Sequence, residues 1–203
     1  MNLSYRSLPR AFLFAAALAL LCSGFAARAD DVRDAEKLYK QKQYDQALEK
    51  VDSVLAAKPK DIPARFLKGN ILADKGKIED AIGVFQSLTE DAPDRPEPYN
   101  NLGFLYAMQG QYDKARSALE LAIRNQPNYS LAHENLGEIY AKMASREYER
   151  ALQLDPNNSG LQTKLATIRQ LFPKAPARPQ TIAIPAGASA PAAAPAAATP
   201  PKP

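Results

Sequence analysis

Residues 96–127 read PEPYNNLGFLYAMQGQYDKARSALELAIRNQP, and this stretch decides the fold. Tyr99, Leu102, Leu105 and Tyr106 recur at helical spacing and line one face of a first helix. Gly110 breaks it, because a residue without Cβ reverses the chain at little steric cost. Ala115, Leu119, Ala122 and Ile123 then form the apolar stripe of a second helix, and Pro127 ends that helix by interrupting its hydrogen-bond ladder. Small residues at Gly103 and Ala115 let the two axes approach closely. The stretch is a helical hairpin.

The hairpin repeats. Gly69, Gly103 and Gly137 recur at one fixed interval, as do Ala47, Ala81 and Ala115, and Pro59, Pro93 and Pro127. Gly76 pairs with Gly110, Leu102 with Leu136, and Tyr106 with Tyr140 at the same interval. Several residue types sharing one period, each with its own steric role, make a specific signal. A period of about 34 residues with helix–turn–helix chemistry marks the tetratricopeptide pattern. From Ala29 to Pro156 the chain resembles the tetratricopeptide repeat (TPR) family, with its fullest match at Tyr99, Leu102-Gly103, Tyr106, Ala115 and Pro127. The resemblance implies an all-α, right-handed solenoid of about four helical hairpins; spacing and composition add a shortened fourth repeat, a capping helix and a disordered tail.

Three segments are expected. Residues 1–29 have the layout of a secretory signal peptide: Arg6 and Arg10, an apolar run from Ala11 to Leu21, and Ala27-Arg28-Ala29 before the cut. Eleven apolar residues are short of the ~20 needed to span a bilayer, although extension through Ala27 keeps an uncleaved anchor open as the alternative. Leu21 is bulky where a lipoprotein signal would place a small residue before Cys22. Residues 30–172 form the solenoid with its capping helix. Residues 173–203, rich in Pro and Ala, hold too little apolar surface to offset ordering entropy.

Once the segment 1–29 is removed, the chain has 23 basic and 22 acidic side chains, and the segment 30–172 has 20 and 22. No basic face is available for phosphates, which argues against nucleic acid. Cys22 is the only cysteine, so the mature chain has no disulfide framework, no thiolate nucleophile and no Cys-based zinc site.

The first repeat is atypical, with Ala35 in place of the packing glycine and Lys42 in place of the turn glycine. Polar substitution in a terminal repeat suits the end of a solenoid. Asp30, Asp31 and Asp34 sit where a helix dipole favours negative charge. In the second repeat Asp61 is the expected N-cap, with Pro63 in the first turn. In the fourth, Pro156 follows Pro127 too soon: the interval is five residues short of the period, and the missing five match the turn. The join, YAKMASREYERAL, holds neither Gly nor Pro and is rich in helix formers. One continuous helix from Ser130 to Leu154 is expected, its face from Leu136 through Tyr140 and Met143 meeting the third repeat. An Asn157-Asn158-Ser159 cap then opens a terminal helix with the stripe Leu161, Leu165, Ile168 and Leu171.

No constellation for catalysis emerges, and neither a cofactor nor a metal site is expected. His133 is the only histidine, with no carboxylate, serine or lysine identifiably paired to it. The glycines are spread at the repeat period and form no phosphate loop. Glu134 and Glu138 lie one turn apart and could share a cation, but a solvated face with a Glu138–Lys142 pair is the simpler reading. The sequence argues against an enzyme.

The family resemblance implies a concave groove lined by the first helix of each repeat, where relatives bind peptides or protein segments. By repeat position its residues are Phe66, Asn70 and Asp74, then Asn100, Phe104 and Met108, then Glu134, Glu138 and Lys142. Phe66, Phe104 and Met108 stand off the packing stripe, open either to a ligand or to packing between repeats. Glu134 and Glu138 oppose the carboxylate clamp that some TPR proteins carry, and favour a ligand with apolar anchors. The expectation is an exported, periplasmic protein–protein interaction module or scaffold of the bacterial envelope, not inserted in the membrane after signal cleavage. The alternatives are a membrane-anchored tether and a periplasmic protein binding a small ligand or cation.

Overall fold

The structure is a computed structural model that describes residues 31–172. The signal-like segment and the Pro/Ala-rich tail lie outside the described residues. Those residues form helices and no strand: α1 (31–40), α2 (Tyr44–Ala57), α3 (Ile62–Asp74), α4 (Ile78–Asp91), α5 (Pro96–Met108), α6 (Tyr112–Asn125), α7 (Ser130–Leu154) and α8 (Ser159–Leu171). Each helix packs on the next in sequence from α2 onward, and α5 also meets α7. The result is a one-dimensional stack of antiparallel hairpins.

The hairpin turns share one chemistry. Gly76 and Gly110 adopt φ of +73° and +70°, and the amides of Lys77 and Gln111 reach back to the carbonyls of Leu72 and Tyr106, each at 2.9 Å. This closure satisfies carbonyls that the helix end would otherwise leave open. The first repeat keeps it without glycine: Lys42 sits at φ +60°, and Gln43 N–H donates to Leu38 O at 2.9 Å. Two helix starts, those of α3 and α8, are capped by side chains. Asp61 accepts from Ala64 N–H at 3.0 Å with proline in the first turn, and Asn158 accepts from Leu161 N–H at 3.0 Å.

Close helix contact in the second and third repeats needs Gly69 and Gly103. A Cβ on Gly69 would lie 2.6 Å from the Phe85 ring, and one on Gly103 would lie 2.5 Å from Leu119. The second-helix residue thus enters a hole made by the absent side chain. Phe85 and Leu119 are fully buried there, an environment worth roughly 1.5–3 kcal/mol for a large apolar side chain. Three contiguous clusters make the core. One centres on Val51, Leu67 and Ile71, one on Phe85, Leu88 and Leu105, and one on Leu119, Ala122 and Ile139.

The fourth repeat has no turn. Helix α7 runs unbroken over 25 residues, and its first half packs on the third repeat through Ala132, Leu136, Ile139 and Met143. Tyr140, expected on that face, is instead 50% exposed, because no second helix folds back across it. Helix α8 packs on α7 through a stripe in which Leu165 is buried, while Leu171 is 67% exposed at the far end of the stripe. No helix among the described residues is long and apolar enough to cross a membrane.

Candidate functional site

The nine residues expected to line a groove form a grid on the first helices α3, α5 and α7. At successive repeats one row holds Phe66, Asn100 and Glu134, the next Asn70, Phe104 and Glu138, and the third Asp74, Met108 and Lys142. The structure separates them into two groups.

The first group serves the stacking. Phe66 is buried, contrary to an exposed role, because its ring meets Phe85 edge-on with centroids 5.4 Å apart. Asn70 and Asn100 are also buried rather than displayed. Asn101 Nδ2 donates to Asn70 Oδ1 at 3.1 Å, and Asn135 Nδ2 donates to Asn100 Oδ1 at 2.8 Å. The Tyr39 hydroxyl donates to Asp74 at 2.8 Å. Side-chain bonds therefore join each first helix to the next: α1 to α3, α3 to α5, α5 to α7. Burial raises the Asp74 carboxyl above the usual carboxylate range, although the tyrosines at 39 and 44 act in the opposite sense. The Nδ2 groups of Asn70 and Asn100 remain buried with no protein partner, a costly state for an amide donor.

The second group stays accessible. Phe104 and Met108 lie one turn apart on α5, half-buried against the core beneath them. Glu134 and Glu138 are exposed on α7, and Lys142 is half-buried. Lys142 lines a cleft with Tyr112, Arg146 and Glu149. The apolar pair lies on α5 and the two carboxylates on α7, helices that meet each other. No group of three or more His, Cys, Asp or Glu able to hold a metal occurs among the described residues. His133 Nε2 lies 3.0 Å from Pro127 O, a local contact closing the turn before α7.

Sequence reasoning missed two clefts on the second-helix side. One, of about 650 Å³, is walled by Tyr99, Leu102, Tyr106, Lys114, Ala118 and Leu121. The other, of about 690 Å³, is walled by Arg65, Lys68, Leu72, Asp80, Val84 and Ser87. Each of these residues has its counterpart one repeat away, so both clefts are gaps that the stacking creates between successive second helices. The period itself was the signal that could have found them. Their walls differ: Lys68 pairs with Asp52 at 2.7 Å, and Arg65 with Asp91 at 2.5 Å, where the other cleft has Leu102 and Tyr99.

The profile of the Tetratricopeptide repeat family matches residues 38–103 and again 72–139. The chain belongs to the tetratricopeptide repeat family. Among curated relatives, human Protein O-mannosyl-transferase TMTC1 is 31% identical over 104 residues, covering 49% of this chain and 12% of that protein. The wheat (Triticum aestivum) Hsp70-Hsp90 organizing protein is 31% identical over 116 residues, 55% of this chain and 20% of that protein. This tetratricopeptide array therefore spans a small part of either relative. The first TPR domain of the human RPAP3 protein superposes with a TM-score of 0.56 at 18% identity, covering 59% of this chain and 94% of that domain, a likeness of fold. Members of the family are generally non-catalytic scaffolds that bind protein or peptide partners.

Proposed function

We propose that this TPR array is a non-enzymatic interaction module that holds an extended protein segment along the face of its first helices. The supporting observation is the pair Phe104 and Met108. Both are large, apolar and partly open on a face whose other central residues are consumed in hydrogen bonds between helices. An extended segment would seat an apolar side chain on this pair, with the carboxylates of Glu134 and Glu138 setting a negative potential at one edge. Such an arrangement recognises and positions; it carries no group placed to break a bond. The signal-like layout of residues 1–29 supports an exported, periplasmic setting and a role as a scaffold within a bacterial envelope complex.

The test is site-specific photo-crosslinking in the producing cell, with the crosslinker at residue 104 or, as control, at residue 120. Glu120 is exposed on α6, a second helix. The expected result is a discrete protein adduct from position 104 and none from position 120. Adducts from position 120 alone would move the binding surface to the second helices and overturn the reading.

A further inference from the structure

The fused fourth repeat leaves a hole unfilled. A Cβ on Gly69 or Gly103 meets the knob that fills the hairpin, Phe85 or Leu119, at the same register of the second helix in each. A Cβ on Gly137 meets nothing within 4 Å. Allowing for the five missing residues, the knob of this repeat is Tyr148, and the flanking small residues Ala81 and Ala115 correspond to Ala144. Tyr148 cannot reach Gly137 of its own chain, because both lie on one continuous helix, about three turns apart.

Gly137, Ala141, Ala144, Tyr148 and Ala151 recur at alternate steps of four and three, so they form one stripe along α7. Gly137 is exposed and the other four are only partly buried. The stripe is complementary to itself when reversed. Pairing Gly137 with Tyr148 places Ala141 on Ala144, Ala144 on Ala141 and Tyr148 on Gly137, about a point between Lys142 and Met143. That is the condition for a two-fold interface, in which one patch serves both copies. The alanines at the centre permit close approach of the backbones, and α7 is about 37 Å long by its rise per residue.

We infer that α7 pairs antiparallel with α7 of a second copy, exchanging second halves to complete both fourth hairpins. Two further observations support this occupant. Tyr140 and Leu154, 50% and 85% exposed, lie on one flank of the stripe. In the pair that flank meets its own symmetry mate, bringing Leu154 beside His133 and Leu136 of the second copy. Charge is also matched. The Asn135–Asn100 bond joins the first helices of repeats three and four. One repeat on, the same positions are Lys164, on α8, and Glu134. Helix α8 travels with the second half of α7, so the exchange brings Lys164 of the second copy to Glu134 and Glu138. Lys164 lies 5.9 Å from the Tyr148 ring centroid of its own chain, so it accompanies that ring to the second copy. Deleting a hinge turn favours such exchange, because the hairpin can no longer close on itself. Phe104 and Met108 stay open in the pair, whereas Glu134 and Glu138 are shared between the pairing and the acidic edge of the proposed peptide face.

Light scattering of the full chain across a dilution series tests it. The chain should be a dimer that dissociates on dilution. Gly137→Leu should raise the dimer dissociation constant by about tenfold or more through overpacking against Tyr148. Its helical circular dichroism and the fold of the separated copies should persist, since the site is open within one chain. Lys164→Glu should weaken the dimer, and adding Glu134→Lys should restore it. In a Cys22→Ser background, Gly137→Cys and Tyr148→Cys chains should form an intermolecular disulfide when mixed and none when alone. A chain that is monomeric at every concentration, a dimer indifferent to Gly137→Leu, or a mixture without the disulfide would overturn the pairing.

Discussion

Leu119 occupies the space that a side chain on Gly103 would need: its Cγ lies 2.5 Å from an ideal Cβ there, and the Ala115 carbonyl oxygen lies at 3.2 Å. The carbonyl belongs to backbone and cannot give way as a side-chain end can. Gly103→Leu should therefore overpack the α5–α6 crossing and cost at least about 1–3 kcal/mol. Gly83, on the exposed side of α4, meets nothing within 4 Å, and Gly83→Ala should gain about 0.5–1 kcal/mol in helix preference. Chemical denaturation of the two variants should move the midpoint in opposite directions; an unchanged midpoint for Gly103→Leu would refute the assigned crossing.

Arg65 and Asp91 make stability depend on acid pH. Hydrogen bonds from Arg65 and then Lys60 hold the Asp91 carboxyl below its ordinary value of 3.8. A depressed folded-state value stabilises the fold above pH 3.8, and the contribution is lost as pH falls through the lower folded value. Asp91→Asn should therefore destabilise at neutral pH, and the gap should close below that range. Denaturation of both proteins against pH checks this, and a pH-independent gap would contradict it.

The Tyr129 hydroxyl is buried without a partner, and burial, then the charge of Glu97, pushes its pKa up to about 12. Tyr129→Phe removes an unsatisfied polar group while keeping the ring against the α6–α7 core. A gain of about 1 kcal/mol in thermal or chemical denaturation is expected. A loss of similar size would show that the hydroxyl is hydrogen-bonded.

Lys42 holds a left-handed turn that glycine holds in the next two repeats. That conformation costs an L residue roughly 1–2 kcal/mol, against which glycine loses roughly 0.5–1 kcal/mol of extra chain entropy. Lys42→Gly should thus stabilise the first hairpin by about 0.5–1 kcal/mol, the difference between those two costs. Hydrogen exchange of α1 amides should slow; faster exchange would mean that the Lys42 side chain makes a compensating contact.

The hairpins were legible because each periodic residue answers a local steric demand, as Gly76 and Gly110 do at the turns and Gly103 does under Leu119. The fusion of the fourth repeat was legible for the same reason, since the missing residues were those of the turn. The candidate face was less legible. Asn101 and Asn135 reach acceptors whose offsets, 31 and 35, differ from each other and from the period, so a strict repeat does not pair them. Phe66 went inside because the particular knob at Gly69 is a large ring, Phe85, which reaches it; Asn100, at the same position of the next repeat, is held by Asn135 instead. Tyr140 lost its cover through the deletion directly after it, because the fused helix leaves no second helix to fold back across it. Side-chain reach between repeats, rather than helix pattern, set the difference.

The central claim is that α7 is one continuous helix, so that the hole at Gly137 stays open within the chain. Spin labels at Ser130 and Leu154, in chains diluted with an excess of unlabelled chain, measure it by pulsed electron–electron dipolar spectroscopy. At the rise of a continuous helix the labels are separated by about 36 Å. A closed hairpin at Ala141 to Arg146 would bring them to roughly 10 Å, the spacing of packed helices. A single population near about 36 Å is predicted, and a dominant short distance would contradict the fused helix and the exchange built on it.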